Sequence, residues 1–263
     1  MTGSSSYVTG PAPLLGRADV LADLTALAAT RPGVIVIAGE EGAGTSRMAD
    51  ELASRLALDG AAVVLADREG PGLASLEAAL TAAGHTADPT WAARLRPIVA
   101  LLGDRADEPG LAQALVRRLA GSRALVVLTG RGIVADAPTV TLERLGREDA
   151  AALVRHLAPR LDAASAARIA DLGDGLPGRL VPLAHGARRW PGGDAPPPIP
   201  EGLAAPALRV LDGLDPWVRD LAGWAAVADE PLVPGALSRL CRLEQGRVER
   251  GLDALTRAGL LDE

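Results

Sequence analysis

The sequence predicts an α/β fold, a parallel sheet with helices on both faces followed by a purely helical C-terminal part. Three observations carry this. Apolar runs without alternation, Val34-Ile35-Val36-Ile37-Ala38 and Ala124–Leu128 among them, suit strands buried on both faces. Segments of helical periodicity separate these runs, as in a chain of strand-helix-strand units. A glycine-rich turn, Gly39-Glu40-Glu41-Gly42-Ala43-Gly44-Thr45-Ser46, joins the first run to a helix.

Taken in order, residues 1–13 read as a flexible Gly/Ser/Pro-rich tail without the apolar stretch of a signal peptide. Val20-Leu21, Leu24 and Leu27 recur at helical spacing, and Pro32-Gly33 breaks that helix. Strand Val34–Ala38 follows, then the turn, then a helix carrying Met48, Leu52, Leu56 and Leu58 that ends near Gly60. A second buried strand is expected at Ala62–Ala66, a helix at Leu73–Ala83, and a strand at Pro97–Leu102 closed by Gly103-Asp104. Helix Gly110–Ala120 leads to strand Ala124–Leu128, closed by Thr129-Gly130-Arg131, and a short strand covers Thr139–Leu142. This assigns residues 14–145 to the α/β domain. From Gly146 the pattern is helical: Arg147–Leu157, Ala163–Leu172, and a third helix running from the Gly173–Gly178 turn to about Trp190. Residues 146–190 read as a helical lid. Residues 191–200 form a proline-stiffened linker. Residues 201–263 hold helical patterns at Pro206–Leu211, Pro216–Val227, Pro234–Leu240 and Leu243–Ala258. With Gly259-Leu260-Leu261 read as the start of a strand, they suggest a winged helix.

Composition narrows the function. The chain has 263 residues and a net charge of −6, against broad binding to nucleic acid or a membrane surface. No run is long and charge-free enough to span a bilayer. Within residues 201–263 seven arginines face eleven acids, which disfavours a DNA-binding surface there. The charged positions Arg247, Glu249, Arg250, Asp253 and Arg257 suit a solvated or protein-facing helix instead. A single cysteine, Cys241, excludes an internal disulfide and fits a reducing cytoplasm. His85, His156 and His185 are far apart and lack metal-ligand spacing. Lysine, asparagine and phenylalanine are absent, a bias that fits GC-rich coding.

The turn carries the chemistry. Strand, glycine-rich turn and helix in that order make a phosphate-binding loop, in which backbone N–H groups and a helix N-terminus receive the phosphates. Gly39, Gly44 and Ser46 fit G-x-x-x-x-G-K-[ST], but Thr45 stands where the lysine belongs, and no lysine elsewhere can replace it. A strand-turn-helix with no nucleotide is the plain alternative. Asp104 and Arg131 close strands at the sheet's carboxyl end, where ligands of such sheets bind. Asp104 is a candidate magnesium-side acid or a turn residue, and Pro177 an adenine-side residue or an ordinary helix-start proline. Arg47, as a substitute cation, is expected to point away from the phosphates.

Leu15-Gly16-Arg17, the loop, Thr129-Gly130-Arg131, Gly175-Leu176-Pro177 and the C-terminal helices, in this order, resemble the STAND class of P-loop NTPases. The similarity is greatest to the NB-ARC-like ATPase modules of actinobacterial transcriptional regulators, over about residues 14–263. The resemblance implies ATP or ADP as ligand, with Arg17 at the entry motif and Gly39, Gly42, Ala43, Gly44, Thr45 and Ser46 around the phosphates. It places Arg131 at the terminal phosphate, Pro177 near the adenine, and Ser46 with Asp104 on the magnesium side. Two departures, Thr45 for lysine and a Walker B strand ending in Gly103-Asp104 with a single acid, point away from hydrolysis. The expectation is a pseudo-NTPase regulatory module acting through a protein partner or as a homo-oligomer. An active ATPase and a winged-helix DNA-binding regulator are the alternatives.

Overall fold

Strand β1, Gly33–Gly39, lies inside the sheet, and its five interior residues are all buried. Its run of β-branched residues suits a strand with no solvent face. It pairs in parallel with β4, Ala124–Gly130, on one side and with β5, Thr139–Leu142, on the other. Strands β3, Ile98–Leu102, and β2, Ala62–Leu65, extend the sheet beyond β4 in the order β2-β3-β4-β1-β5. This is a computed structural model describing residues 14–30, 33–66, 72–82, 98–120, 124–132, 137–190, 197–227 and 233–261. The tail 1–13, His85, the ends of the expected elements at Ala83 and Pro97, and residues 191–196 of the linker lie outside the described residues.

Alternation along the strands builds two cores. Ile35 and Ile37 of β1 join Val99, Leu101, Leu125 and Val127 beneath α1, Ala18–Thr30, and α2, Thr45–Leu58. Val34, Val36 and Ala38 join Ala100, Leu102, Val126 and Leu128 beneath α3, Gly72–Ala82, and α4, Leu111–Leu119. The result is three layers, helix-sheet-helix, as the apolar runs imply. Strand β2 departs from expectation. It is an edge strand, and Val63 and Leu65 are exposed while Ala62 and Val64 are buried. Strand order, which no local pattern encodes, decides that difference.

Helices α5, Arg147–Leu157, α6, Ala163–Leu172, and α7, Pro177–Gly186, pack on one another through Leu153, Val154, Ile169, Leu180 and Leu183. A 3-10 turn, Ala187–Arg189, follows. Asp162 caps α6, its carboxylate accepting the Ser165 N–H at 2.7 Å.

The chain divides into two compact units after Pro198. Among the described residues the second unit holds helices α8, Glu201–Asp212, α9, Pro216–Val227, α10, Pro234–Cys241, and α11, Gln245–Arg257, and no strand. Helix α8 starts five residues before Pro206 and keeps that proline inside it. Leu221, Leu237 and Val248 are the buried centre, ringed by Trp217, Cys241, Leu243 and Leu252. The i, i+7 spacing of Trp217 and Trp224 puts both on one helix face and predicts core packing for it. The inward face of α9 instead runs through Val218, Leu221 and Ala225, and Trp224 is 46% exposed. Gly259-Leu260-Leu261 does not form a strand here. Gly259, at φ +69°, donates to the Thr256 carbonyl at 2.9 Å and Leu260 donates to Leu255 at 3.0 Å, a Schellman stop for α11. No helix among the described residues is long and apolar enough to cross a membrane.

Leu52 is fully buried where α2 meets the sheet, whereas Leu58 on the same helix is 88% exposed. Leu52→Ala is therefore expected to cost about 2–5 kcal/mol in urea unfolding. Leu58→Ala should stay within about 0.5 kcal/mol of the parent protein. Equal effects would refute the placement of α2.

Candidate functional site

Strand β1 ends at Gly39, between the carboxyl ends of β4 and β5, and releases the chain into the glycine-rich turn. Ala43 N–H closes the turn on the Glu40 carbonyl at 2.9 Å. Gly42 and Gly44 sit at φ +86° and +94°, backbone that any other residue would adopt only under strain. Gly44 is the N-cap of α2, and no side chain caps this helix end. The first N–H groups of a helix have no partner within it, so this end offers donors and partial positive charge.

It borders a cavity of about 850 Å³. Every residue that the resemblance assigns to the nucleotide site lines that cavity: Arg17, Gly39, Gly42, Ala43, Gly44, Thr45, Ser46, Asp104, Arg131 and Pro177. One side is apolar, formed by Leu14, Leu145, Leu153, Val181 and Pro182 from the segment before α1, the β5–α5 connection, α5 and α7. The opposite side carries Asp104, Asp107 and Arg131 from the ends of β3 and β4. The loop lies between, because β1 lies between β4 and β5.

Protein groups bind the loop from several directions. Arg17 is 7% exposed, and its Nη2 donates to the Ala43 carbonyl at 3.4 Å and to the Glu143 carbonyl. Burial lowers the pKa of this guanidinium, while the charges of Glu143 and Asp149 pull it back up. Gly178, near the start of α7, donates its N–H to the Gly42 carbonyl at 2.8 Å. The approach is so close that a Cβ on Gly178 would lie 2.7 Å from the Gly42 Cα. Arg144 spans the rim, binding both Glu40 carboxylate oxygens at 2.9 Å and also Asp174. These hydrogen bonds raise the Arg144 pKa. Leu145 N–H adds a bond to the Gly175 carbonyl at 2.8 Å.

The charged residues toward β3 and β4 are also engaged. Arg131 pairs with Glu41 of the loop, and its backbone N–H donates to Asp107 at 3.0 Å. Asp104 adopts φ +56°, and its N–H donates to Thr129 Oγ1 at 2.9 Å. Arg47 lines the cavity, yet its guanidinium turns along α2 to Glu51 at 3.2 Å. Pro177 is the first residue of α7, as the plain reading has it, and it also lines the cavity. Ser46 and Asp104 share the cavity, and among the described residues no group of three or more His, Cys, Asp or Glu is placed to hold a metal ion. In the second unit, Arg247 lies over the Trp217 ring at 4.8 Å, an internal cation–π contact on the helix considered for DNA. Sequence reasoning assigned no site role to Glu40, Glu41, Asp107, Arg144 and Asp174. Adjacent acids in a lysine-free loop were the available signal for the first two.

No protein-family model matches the sequence, and no curated protein matches it. Solved structures do. A point variant of RuvB from Thermotoga maritima has a TM-score of 0.52 at 16% identity, over 96% of this chain and 92% of that one. A Signal Transduction ATPase with Numerous Domains (STAND) protein with a tetratricopeptide repeat sensor, from Pyrococcus horikoshii, has a TM-score of 0.51 at 17% identity. That match covers 99% of this chain and 42% of the other, so the chain spans about two fifths of that protein's length. At these identities the likeness is one of fold, and the fold is that of the P-loop NTPases.

Arg17→Ala removes the donor to one buried and one part-buried carbonyl, and is expected to cost about 1–3 kcal/mol in chemical unfolding. Gly178→Ala forces the loop and α7 apart and should lower the melting temperature by several degrees. Parent-like unfolding of both variants would show that these contacts do not hold the loop.

Proposed function

We propose that this chain is a nucleotide-binding regulatory module of the STAND kind that hydrolyses ATP slowly or not at all and acts through a protein partner. One observation carries the reading: the residues chosen from the motif pattern line a single cavity together, with an uncapped helix N-terminus at its middle and apolar residues on one side. In this reading the loop and the N-terminus of α2 hold the phosphates, and the apolar side takes the base. Ser46 and Asp104 would hold a magnesium ion largely through its waters, since two oxygen ligands alone are too few. Bound magnesium would neutralise phosphate charge.

Weak turnover follows from charge. Phosphoryl transfer relies on cations fixed at the transferring group. Thr45 supplies none, and Arg131 and Arg47 both contact carboxylates. The domain reading keeps residues 14–145 as the nucleotide domain, 146–190 as its lid and 201–263 as a winged helix of the NB-ARC-like regulators. Helices α9, α10 and α11 suit the three helices of a winged helix. The acidic balance of that segment, and the engagement of Arg247 by Trp217, favour a protein over DNA as its partner.

Calorimetric titration of nucleotide-stripped protein with ADP and magnesium tests this. Binding in the order of micromolar is expected, with Gly44→Val abolishing it. Thr45→Lys should tighten it by roughly tenfold by restoring a charge-assisted contact. No heat at about millimolar ADP from the parent protein, and none from the lysine variant, would refute the proposal.

A further inference from the structure

We propose that Glu41 makes this site selective for nucleoside diphosphates over triphosphates. The inference rests on the nucleotide reading above and adds to it a specificity residue. Strand order fixes the direction of a bound ligand. The apolar side of the cavity lies toward β5, the loop lies at the end of β1, and the acids lie toward β4 and β3. A nucleotide with its base on the apolar side and its first phosphates at the N-terminus of α2 therefore grows toward Glu41, Asp104 and Asp107 as phosphates are added.

Among the described residues, Glu41, Asp104, Asp107 and Arg131 line that end. Glu41 engages the Arg131 guanidinium across the rim while Asp107 holds its backbone N–H. The Glu41 carboxylate thus occupies the place on Arg131 that a terminal phosphate would take. A third phosphate must displace it and then lie beside it. A like charge within about 5 Å, at the effective dielectric of a protein surface, is worth on the order of tenfold in affinity or more. A diphosphate stops short of this end and avoids that cost. The side chains of Arg131 and Glu41 are 67% and 83% exposed, so the pair adds little to folding. Removing its charge should leave the fold intact.

The test is the ratio of dissociation constants for ATP and ADP, measured by calorimetry in EDTA, for the parent protein and for Glu41→Gln. The parent is expected to bind ADP about tenfold tighter than ATP. Glu41→Gln should tighten ATP by about tenfold and leave ADP unchanged. ADP binding with equal ATP binding in the parent would overturn the inference while leaving the nucleotide reading standing. So would a Glu41→Gln variant that shifts both nucleotides equally. Failure of the parent to bind either nucleotide would overturn the nucleotide reading itself and this inference with it.

Discussion

The structure of the first unit depends on β1 having neighbours on every side. Its backbone is hydrogen-bonded to β4 and to β5, and its side chains enter two separate cores. A strand so enclosed cannot slip by one residue, because a slip would exchange the two cores. Its last residue, Gly39, is therefore a fixed point. The turn, the helix N-terminus and the cavity all take their positions from it. A sequence with this much Val, Ile and Leu and no Phe achieves that rigidity with branched aliphatics of similar size.

Around that fixed point, charge is disposed unusually for a glycine-rich turn at a helix N-terminus. The loop itself is acidic, with Glu40 and Glu41 adjacent and no lysine. Arginines reach it from elsewhere in the chain: Arg17 to a backbone carbonyl, Arg144 to Glu40, Arg131 to Glu41. The contacts of Arg131 and Arg144 are exposed and individually weak. Arg17 is different, because the residue is buried and its guanidinium donates to backbone carbonyls on both the loop and the β5–α5 connection. Positional order in the loop thus rests on Arg17 and the Gly178 N–H, and the ion pairs shape the field above it.

Much of the first unit was legible because its signals are local. Apolar runs gave away the strands, and Gly42 and Gly44 gave away a turn with left-handed backbone. The residues of the motif pattern proved to share one cavity because strand-turn-helix order fixes their geometry. What escaped depends on distant partners. Glu40 meets Arg144 and Glu41 meets Arg131 across 104 and 90 positions, and no local pattern encodes either pair. The exposure of Val63 and Leu65 follows from the place of β2 at the sheet edge. In the second unit the spacing of Trp217 and Trp224 was sound for one helix face. The buried face is that of Val218, Leu221 and Ala225, and which face turns inward depends on the neighbours α10 and α11. Gly259 was misread because a glycine before two leucines serves equally as a helix stop and as a strand start.

The link from Gly42 to Gly178 has a mechanical side. Two walls of the cavity, the loop and the start of α7, are joined backbone to backbone, and Arg144 ties the loop to the turn before α7 at the rim. A displacement of the start of α7 is therefore transmitted directly to the backbone of the loop, without passing through side-chain packing.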